Sequence, residues 1–331
     1  MQDTSRAYPM DHRLLLDCLS PDAAVSGSAL AAHLGVTRAA VWKQVEVLRA
    51  LGAPIQAAAG RGYRLAWPVE WLDGENLLAA LDPDLRRRVG VRVHWQVDST
   101  SSELLRRAGS EAGDLRVCLA ETQSAGRGRR GRHWQSPLGG NLYFSLLKRF
   151  DHGMGALTGL SLAAGTAVIA ALTDCGVSGV GLKWPNDVLA RGRKLAGVLI
   201  ELGGEFLGPC HAVIGVGINL RLPDTVANTI DQPAIDLASL CEHPVSRNRL
   251  ASRLLTRLVA TLDRFAAQGF AAVADDYARA DLLRGNPVRV LGASGPIDGI
   301  ADGVDARGAL RVRHGERIAL YDSAEISVRA Q

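Results

Sequence analysis

Apolar side chains recur at helical spacing through the first part of the chain. Three helices are predicted, over residues 14–19, 26–34 and 37–51. Gly35 separates the second helix from the third, and Thr37 is placed to cap the third helix. Residues 55–65 then form two short strand-like runs around a Gly-Arg-Gly turn with Arg61 at its tip, as in a β-hairpin. The pattern predicts a winged helix-turn-helix domain over residues 1–70.

The third predicted helix has the side chains for a DNA contact. The residues expected to meet phosphates and base edges are Thr37, Arg38, Lys43, Gln44 and, from the hairpin, Arg61. They surround an apolar stripe of Val41, Val45 and Leu48. Residues 1–70 hold seven Lys/Arg and six Asp/Glu, a net charge of +1, so we expect two copies on palindromic DNA. Winged helices also serve as protein contacts, and that alternative stays open.

Strand and helix patterns mix in the middle of the chain. Strands are predicted over residues 91–97, 115–122, 141–149, 179–184, 195–202 and 212–220. A short helix over residues 103–107 and a buried helix over residues 156–172 lie between them. This mixture predicts an α+β domain over residues 71–283 with a mixed or mainly antiparallel sheet. No GxGxxG turn both follows a strand and opens a helix, and no GxxxxGK[ST] loop is present, so the usual dinucleotide and P-loop interpretations have no support.

The last part of the chain changes character. Short β-like runs separated by Gly and Asp turns cover residues 288–291, 297–303, 309–312, 317–321 and 325–328. Evenly spaced short strands of this kind are typical of a small SH3-like barrel. We therefore predict a third domain over residues 284–331.

Composition indicates the cellular compartment of the protein and argues against some kinds of site and segment. The chain has 331 residues, a net charge of +4 and five scattered cysteines without CxxC or Cys/His spacing. This cysteine pattern is typical of reduced thiols in the cytoplasm and argues against a structural zinc site. The first residues lack the apolar run of a secretory signal. The apolar stretch over residues 155–172 contains Thr, Ser and many Ala and Gly residues, which favours a buried helix over a membrane span.

A loop rich in arginine and glycine is the first sign of chemistry. Residues 126–134, GRGRRGRHW, hold four arginines and three glycines directly after a predicted strand. Arginines offer forked donors to carboxylates and phosphates, and glycines let the backbone come close to a ligand. The loop is therefore predicted to grip an anion. Taken alone, it fits a solvated basic turn or a nucleic-acid patch better, because short arginine-rich runs are common.

Three further polar motifs stand at the ends of predicted strands. They are KWPND at residues 183–187, RKLAG at residues 193–197 and GVGIN at residues 215–219. Each one alone is compatible with an ordinary turn, a surface lysine or a packing glycine. With the arginine loop and in this order, the set resembles that of bacterial bifunctional biotin protein ligases, also called biotin operon repressors. The resemblance covers residues 11–329.

The resemblance implies a reaction and a fold. Members of this family have a class II synthetase-like catalytic domain that joins biotin to ATP as biotinyl-5′-adenylate, with Mg²⁺ on the nucleotide. They then transfer biotin to a lysine of the biotin carboxyl carrier protein of acetyl-CoA carboxylase. The resemblance also implies a homodimer that forms on adenylate loading and represses biotin synthesis genes.

The site residues follow from the same match. The catalytic residues it implies are Lys194, Arg129 and Arg127. The biotin contacts it implies are Ser99, Thr100, Gln123, Gly126, Arg127, Arg129, Lys194 and Gly197. The ATP contacts it implies are Asn186, Asp187, Asn219, Arg289 and Arg329, with Asn186 and Asp187 nearest the Mg²⁺. By this match Arg129 closes over the adenylate and Lys194 contacts both biotin and the α-phosphate.

The chain departs from the family pattern at two places. Ser101 stands where the family commonly has Asn, and its hydroxyl can still bond locally. Gln232-Pro233-Ala234 stands where the family places a tryptophan over adenine, a contact worth about 1 to 3 kcal/mol. Two alternatives remain at this stage: a ligase whose winged helix does not regulate, and a non-catalytic transcription factor that senses an acyl ligand. A lipoate-type ligase fits these motifs least.

Overall fold

A computed structural model of the chain describes residues 10–109, 115–292, 295–322 and 327–330. The predicted lack of a secretory signal concerns the first residues and so lies outside the described residues. The same holds for residues 325 and 326 of the last predicted strand. Among the described residues, no helix is both long and apolar enough to cross a membrane.

The N-terminal domain is the predicted winged helix-turn-helix. Its elements are α1 (Met10–Asp17), α2 (Gly27–Leu34), α3 (Arg38–Ala50), β1 (Ile55–Ala58) and β2 (Gly62–Leu65). The Thr37 hydroxyl accepts a hydrogen bond from the Ala40 N–H at 3.2 Å, which confirms the predicted cap of α3. The predicted apolar stripe of α3 is fully buried. Gly62 has φ 113°, and a methyl group there would lie 2.0 Å from the Val25 carbonyl, so the hairpin requires glycine at this position.

The central domain is built on a seven-stranded sheet. Its strands are β3 (Val89–Val97), β4 (Leu115–Gln123), β5 (Leu142–Phe150), β6 (Val180–Lys183), β7 (Asp187–Ala190), β8 (Arg193–Gly204) and β9 (Cys210–Ile218). Its helices are α4 (Gly74–Ala79), α5 (Pro83–Arg88), α6 (Thr100–Arg107), α7 (Leu160–Asp174), α8 (Asp224–Ala227), α9 (Arg247–Gln268) and α10 (Ala274–Ala280). The strand order is β3-β4-β5-β9-β8-β7-β6, with β3 and β4 parallel and the other neighbours antiparallel. The predicted mixed, mainly antiparallel sheet is confirmed.

Alternation along the strands gives the sheet two different faces. In β9, Ile214, Val216 and Ile218 join the main apolar core, where α7 and α9 pack. The intervening positions of β9 face the other side, which α6 covers in part and where Val213 packs with Leu104 of α6. The side chains on this second face are small or polar near the carboxyl end of β9. That end of the sheet is therefore where a ligand can approach the backbone.

Several helices differ from the sequence prediction. The predicted helix over residues 156–172 begins only at Leu160, because Gly159 has φ 83° and residues before it form a 3₁₀ turn. The helix predicted over residues 103–107 starts at Thr100, with Ser99 as its N-cap. Five helices of the central domain were not predicted, namely α4, α5, α8, α9 and α10. The largest of them is α9, whose 22 residues bury one face against α7.

The C-terminal domain is all β, as predicted. Its strands are β10 (Pro287–Gly292), β11 (Gly295–Val304), β12 (Leu310–His314), β13 (Arg317–Tyr321) and β14 (Ser327–Ala330). They form a five-stranded antiparallel sheet in the order β13-β12-β11-β10-β14. The Trp184 indole N–H donates to the Gly308 carbonyl at 3.1 Å, which fixes this domain to the KWPND turn. Closure of the sheet into an SH3-like barrel stays a prediction.

A buried ion pair joins the linker, the central sheet and α9. Arg247 Nη1 lies 2.7 Å from Glu121 Oε2, and the two side chains are 5% and 3% exposed. Glu121 Oε1 also accepts from the Leu72 N–H at 2.6 Å, and Arg247 donates to the carbonyls of Glu70 and Asn141 at 2.7 and 2.9 Å. The pair therefore fixes the path of the chain between the N-terminal and central domains.

The N-terminal domain packs directly on the central sheet. Trp95 of β3 and Leu138 belong to the same apolar core as the helices of the winged domain. The rings of Trp71 and Trp95 lie 5.2 Å apart, and the Leu138 N–H donates to the Leu51 carbonyl at 2.8 Å. Leu51 directly follows α3, so the end of this helix rests against the central domain.

We expect Arg247→Met to lower the free energy of unfolding by about 3 to 5 kcal/mol, because Glu121 would stay buried as an uncompensated charge. Urea unfolding of the full-length protein measures this. The matched control is Arg257→Met, which removes a 2.7 Å pair with Asp174 from a side chain that is 49% exposed. The control should lose at most about 1 kcal/mol. Equal losses in the two variants would show that the buried pair has no special role.

Candidate active site

Glycines form a shallow trough on the open face of the sheet. Gly215 and Gly217 alternate along β9, and Gly197 of β8 lies directly opposite Gly217. Asp187 of β7 lies opposite Gly197, so the row ends in a carboxylate. Because alternate side chains of a strand share one face, the missing side chains leave bare backbone there. The predicted RKLAG and GVGIN motifs are thus brought together by strand pairing.

The indole of Trp134 lies in this trough. A methyl group built on Gly217 would lie 2.4 Å from Trp134 Cε2, and one on Gly197 would lie 3.2 Å from Cζ3. The backbone N–H of Trp134 donates to the Gly126 carbonyl at 2.9 Å, which closes the arginine loop at its base. Within the described residues, the buried indole Nε1 has no hydrogen-bond partner. The indole therefore lies against the bare backbone of the trough, and its Nε1 is its one buried polar atom.

Lys194 lies at the edge of the trough. Its Nζ is 2.7 Å from Asp187 Oδ1 and 5.4 Å from the centre of the Trp134 ring. The Lys194 N–H donates to the Pro233 carbonyl at 2.9 Å, and the Lys194 carbonyl accepts from Ile235 at 2.9 Å. The segment in which the family's tryptophan is missing thus holds the backbone of the proposed catalytic lysine. The Lys194 ammonium is mostly buried and neutralised by one carboxylate, so an incoming anion could replace that carboxylate.

The arginine loop forms a short hairpin beside Lys194. Gly128 donates to the Arg132 carbonyl at 2.7 Å, and residues Arg129–Gly131 make a 3₁₀ turn with Arg130 at φ 58°. Arg129 Nη1 reaches Asn186 Oδ1 at 3.4 Å. Burial and the neighbouring charges of Arg130 and Arg132 lower the pKa of Arg129, against the opposing effect of Asp187. A bound anion would offset these unfavourable interactions.

Arg127 forms an ion pair with a carboxylate of the central sheet. Its guanidinium Nη2 lies 2.8 Å from Glu201 Oε2 on β8, and its side chain is 41% exposed. Gly126 is buried, and a methyl group there would lie 2.9 Å from both Gln123 Nε2 and Ser136 Oγ. Close approach at Gly126 is therefore required by the fold itself. The contact of Arg127 with a carboxylate stays a prediction.

Hydroxyl and amide groups line the other end of the trough. Thr100 N–H and Oγ1 donate to Gln123 Oε1 at 2.9 and 3.2 Å, and Gln123 Nε2 donates to Ser136 Oγ at 3.1 Å. Ser99 caps α6 and is buried. Ser101 Oγ lies 3.0 Å from Ser145 Oγ, which confirms that its hydroxyl bonds locally. These groups can satisfy a polar ring that has both donors and acceptors.

The two asparagines of the predicted nucleotide site bond to the backbone. Asn186 Nδ2 donates to the Val198 carbonyl at 2.9 Å. Asn219 is 4% exposed, and its Nδ2 donates to the carbonyls of Ile235 and Lys194 at 3.2 and 3.4 Å. Asn219 therefore fixes the position of Lys194 in this structure. Its contact with adenine stays a prediction.

Among the described residues, the side chain of the tail arginine Arg289 has its hydrogen bonds within the C-terminal sheet and not with this cluster. Arg289 pairs with Asp298 on the C-terminal sheet at 2.6 and 2.8 Å. Arg329 lies on β14 with its backbone opposite Arg289. Strand pairing thus brings the two predicted positions together, but on the sheet of the C-terminal domain. Their contact with ATP stays a prediction.

The residues predicted to contact DNA lie on the winged domain, and one of them is less exposed than predicted. Arg38, Lys43 and Arg61 are exposed. Gln44 was expected on the exposed face of α3, and that placement is wrong in part: the side chain is half-buried and its Oε1 is fully buried. Gln44 follows Val41 by three positions, so it flanks the inward stripe.

Sequence reasoning missed several residues of the site. They are Trp134 as the occupant of the trough, Ser136 and Ser145 as partners of its polar end, and Pro233 as an anchor of Lys194. The available signal for Trp134 was its position at the end of the arginine loop. No sequence signal indicated the two serines, because their role depends on which strands become neighbours.

Comparisons with known proteins agree with this geometry. Residues 93–219 match the biotin/lipoate A/B protein ligase family, residues 12–64 match a helix-turn-helix domain, and residues 285–329 match the biotin protein ligase C-terminal domain. The chain is 37% identical over 306 residues to the bifunctional ligase/repressor BirA of Escherichia coli, covering 92% of this chain and 93% of that protein. It is 39% identical over 238 residues to the biotin–[acetyl-CoA-carboxylase] ligase of Mycobacterium tuberculosis, covering 70% and 86%.

A solved structure is also similar. The biotin protein ligase of Aquifex aeolicus in complex with biotin and ATP superposes with a TM-score of 0.61 at 27% identity. The match covers 73% of this chain and 99% of that protein. The fold that carries the glycine trough is therefore one that binds both molecules in another protein.

We expect Gly217→Ala to weaken biotin binding about tenfold or more, since the added methyl group would collide with the Trp134 ring and raise the floor of the trough. Isothermal titration with biotin measures this. Gly109→Ala is the control, because a methyl group there meets nothing within 4 Å. An unchanged affinity in Gly217→Ala would place biotin elsewhere on the sheet.

Proposed function

The chain belongs to the biotin/lipoate A/B protein ligase family, and from this premise we propose that it is an ATP-dependent biotin protein ligase that also acts as a transcriptional repressor. It makes biotinyl-5′-adenylate and transfers biotin to a lysine of the biotin carboxyl carrier protein of acetyl-CoA carboxylase. The observation that carries the proposal is the position of Lys194 and Arg129 beside a glycine trough that ends in hydroxyl and amide groups. Lys194 and the intact arginine loop argue against a sensing protein without catalysis.

Two anions must meet in the first step. The biotin carboxylate oxygen bonds to the α-phosphorus of ATP, and the bond from that phosphorus to pyrophosphate breaks. Lys194 and Arg129 offset the repulsion between the reactants and stabilise the charge that grows on the phosphoryl oxygens. Asp187 Oδ1 lies 2.7 Å from Lys194 Nζ and holds the ammonium in place beside the trough.

The second step releases AMP. The neutral amine of the carrier lysine attacks the acyl carbon of the adenylate, an amide forms, and the acyl-phosphate bond breaks. The mixed anhydride has to be shielded from water until then. Arg129 in the turn of the arginine loop and the indole of Trp134 at the end of that loop are placed to cover it. An aromatic ring is thus present in the trough, although the tryptophan expected near Ala234 is absent.

Magnesium fits this site as a partner of the nucleotide. Within the part of the chain that the structure describes, no group of three His, Cys, Asp or Glu side chains could hold a metal by itself. Mg²⁺ is commonly bound by one or two carboxylates together with substrate phosphates, and Asp187 with Asn186 can supply the protein side. When bound, the ion would neutralise phosphate charge.

We place domain boundaries at residues 70/71 and 283/284 and the protein in the cytoplasm. The repressor role rests on the winged helix, whose exposed Arg38, Lys43 and Arg61 suit a phosphate backbone. Its net charge of +1, from seven basic and six acidic residues, favours paired binding to a palindromic operator.

An exposed edge of β8 supports the proposed dimer. The pairing of β7 with β8 ends at Gly197, and the Val198 N–H donates to the Asn186 carbonyl. Strand β8 continues to Gly204, and no strand of the described residues pairs with this side of it beyond Val198. An unpaired edge of this kind can add a strand from a second copy. Leu202, Phe206 and Leu207 beside it are 42%, 67% and 89% exposed. Arg127 contacts Glu201 on this segment, so ligand contact by Arg127 would change the edge.

We expect Lys194→Ala to slow biotin-dependent pyrophosphate exchange by about a hundredfold to a thousandfold, because one preorganised charge contact is lost from the transition state. Arg193→Ala is the control, since that neighbouring cation is exposed. Labelled biotin, Mg-ATP and a carrier domain test the whole reaction. If Lys194→Ala keeps the wild-type exchange rate, the lysine is a surface residue and the proposed chemistry is wrong.

We expect biotin plus ATP to strengthen self-association by about 1 to 3 kcal/mol, a typical coupling free energy. Sedimentation velocity with and without the ligands measures it. Leu202→Glu should abolish the gain, whereas Leu320→Glu, at a 57% exposed position of the C-terminal sheet, should keep it. Equal association with and without ligands would favour a ligase whose winged helix does not regulate.

A further inference from the structure

A large apolar side chain is exposed on α3. Trp42 is 60% exposed, whereas Val41, Val45 and Leu48 of the same helix are fully buried. No packing requirement of the winged domain explains this placement, because the indole lies outside the apolar core of that domain. Single exposed apolar residues are common, so exposure alone decides nothing. The position of Trp42 within the helix decides more.

Trp42 lies in the half of α3 that can reach base edges. It follows Arg38 by four positions, so the two side chains share one side of the helix, and the exposed Lys43 is adjacent. In helix-turn-helix proteins the N-terminal residues of the second helix contact bases in the major groove. Ala39 precedes Trp42 by one turn on the exposed face, and its small side chain allows close approach of the helix.

The charges around Trp42 favour a polyanion. Arg38, Lys43 and the hairpin Arg61 are exposed. The nearest acidic residue along the exposed face, Glu46, lies 3.1 Å from Arg49 within the same helix and is locally neutralised. A second copy of this basic face would repel it. An apolar ring between cations therefore fits DNA better than it fits another protein of the same charge.

We propose that Trp42 determines which operator sequence the protein selects, by apolar contact with the C5 methyl group of a thymine in the major groove. The methyl group is the apolar feature that a base pair presents in that groove, and it marks A·T pairs. Arg38 and Lys43 contact the flanking phosphates and set the register. The proposal rests on the repressor role proposed above.

The test begins with selection from a random-sequence duplex library by the full-length protein in the presence of biotin and Mg-ATP. Each conserved thymine of the selected half-site is then replaced by uracil, which lacks the methyl group. Wild-type affinity should fall about fourfold at one thymine, the effect of losing one buried methyl group. Trp42→Ala should bind the thymine and uracil duplexes equally, and Trp42→Phe should keep part of the difference.

Val47→Ala is the matched control, because Val47 is a 42% exposed apolar residue nearer the end of the same helix. It should keep the wild-type response to uracil. Biotin transfer to the carrier should be unchanged in every variant, which shows that the proteins are folded and loaded.

Two failures are distinguishable. If the loaded wild-type protein selects no sequence, the repressor role is wrong and the inference falls with it. If a sequence is selected but uracil has the same effect in wild type and Trp42→Ala, the repressor role stands and Trp42 does not read a methyl group. Loss of dimerisation in Trp42→Ala, with an unchanged response to uracil, would assign the indole to a protein contact.

Discussion

The buried ion pair between Glu121 and Arg247 determines the arrangement of the first two domains. Glu121 stands on the core face of β4, and its second oxygen accepts from the linker at Leu72. Arg247 starts α9 and also contacts the carbonyl of Asn141, whose side chain bonds to Leu220 next to Asn219. A charge is costly to bury without a partner, so moving one member of this set away from the others would leave a buried charge uncompensated. The linker, the floor of the site and the longest helix are therefore positioned together.

The site itself depends on glycines at alternating positions and on cations that pair with neighbouring carboxylates. Gly215 and Gly217 remove side chains from one face of β9 and leave its other face in the core. The trough can then be flat on one face of the sheet while the side chains on the opposite face of β9 still pack in the core. Lys194 and Arg127 each pair with a carboxylate, that of Asp187 and that of Glu201 respectively. Binding a substrate anion thus exchanges one partner for another, which limits the desolvation cost.

Local features of the sequence predicted local structure well. The Thr37 cap and the Val41 stripe depend on residues within a few positions, and both are confirmed. The periodic leucines of α9 were also present in the sequence, and the prediction omitted that helix. The Glu121–Arg247 pair joins positions 126 residues apart, and Trp134 reaches Gly217 only through the register of β8 and β9. Such contacts depend on the assembled sheet, and no local pattern specifies them.

The bond between Leu138 and Leu51 bears on how this protein could be shortened. The strap from Trp134 to Leu138 runs from the glycine trough to the end of α3, and Gly52 packs so closely on Pro137 that a methyl group there would lie 2.7 Å away. Removing the winged domain would uncover Leu138 and Trp95, which are buried now, beside the loop that we propose covers the adenylate. A minimal ligase made from this chain would therefore have an exposed, aggregation-prone apolar surface next to its active site. Polar replacements at these two positions would be needed to keep it soluble.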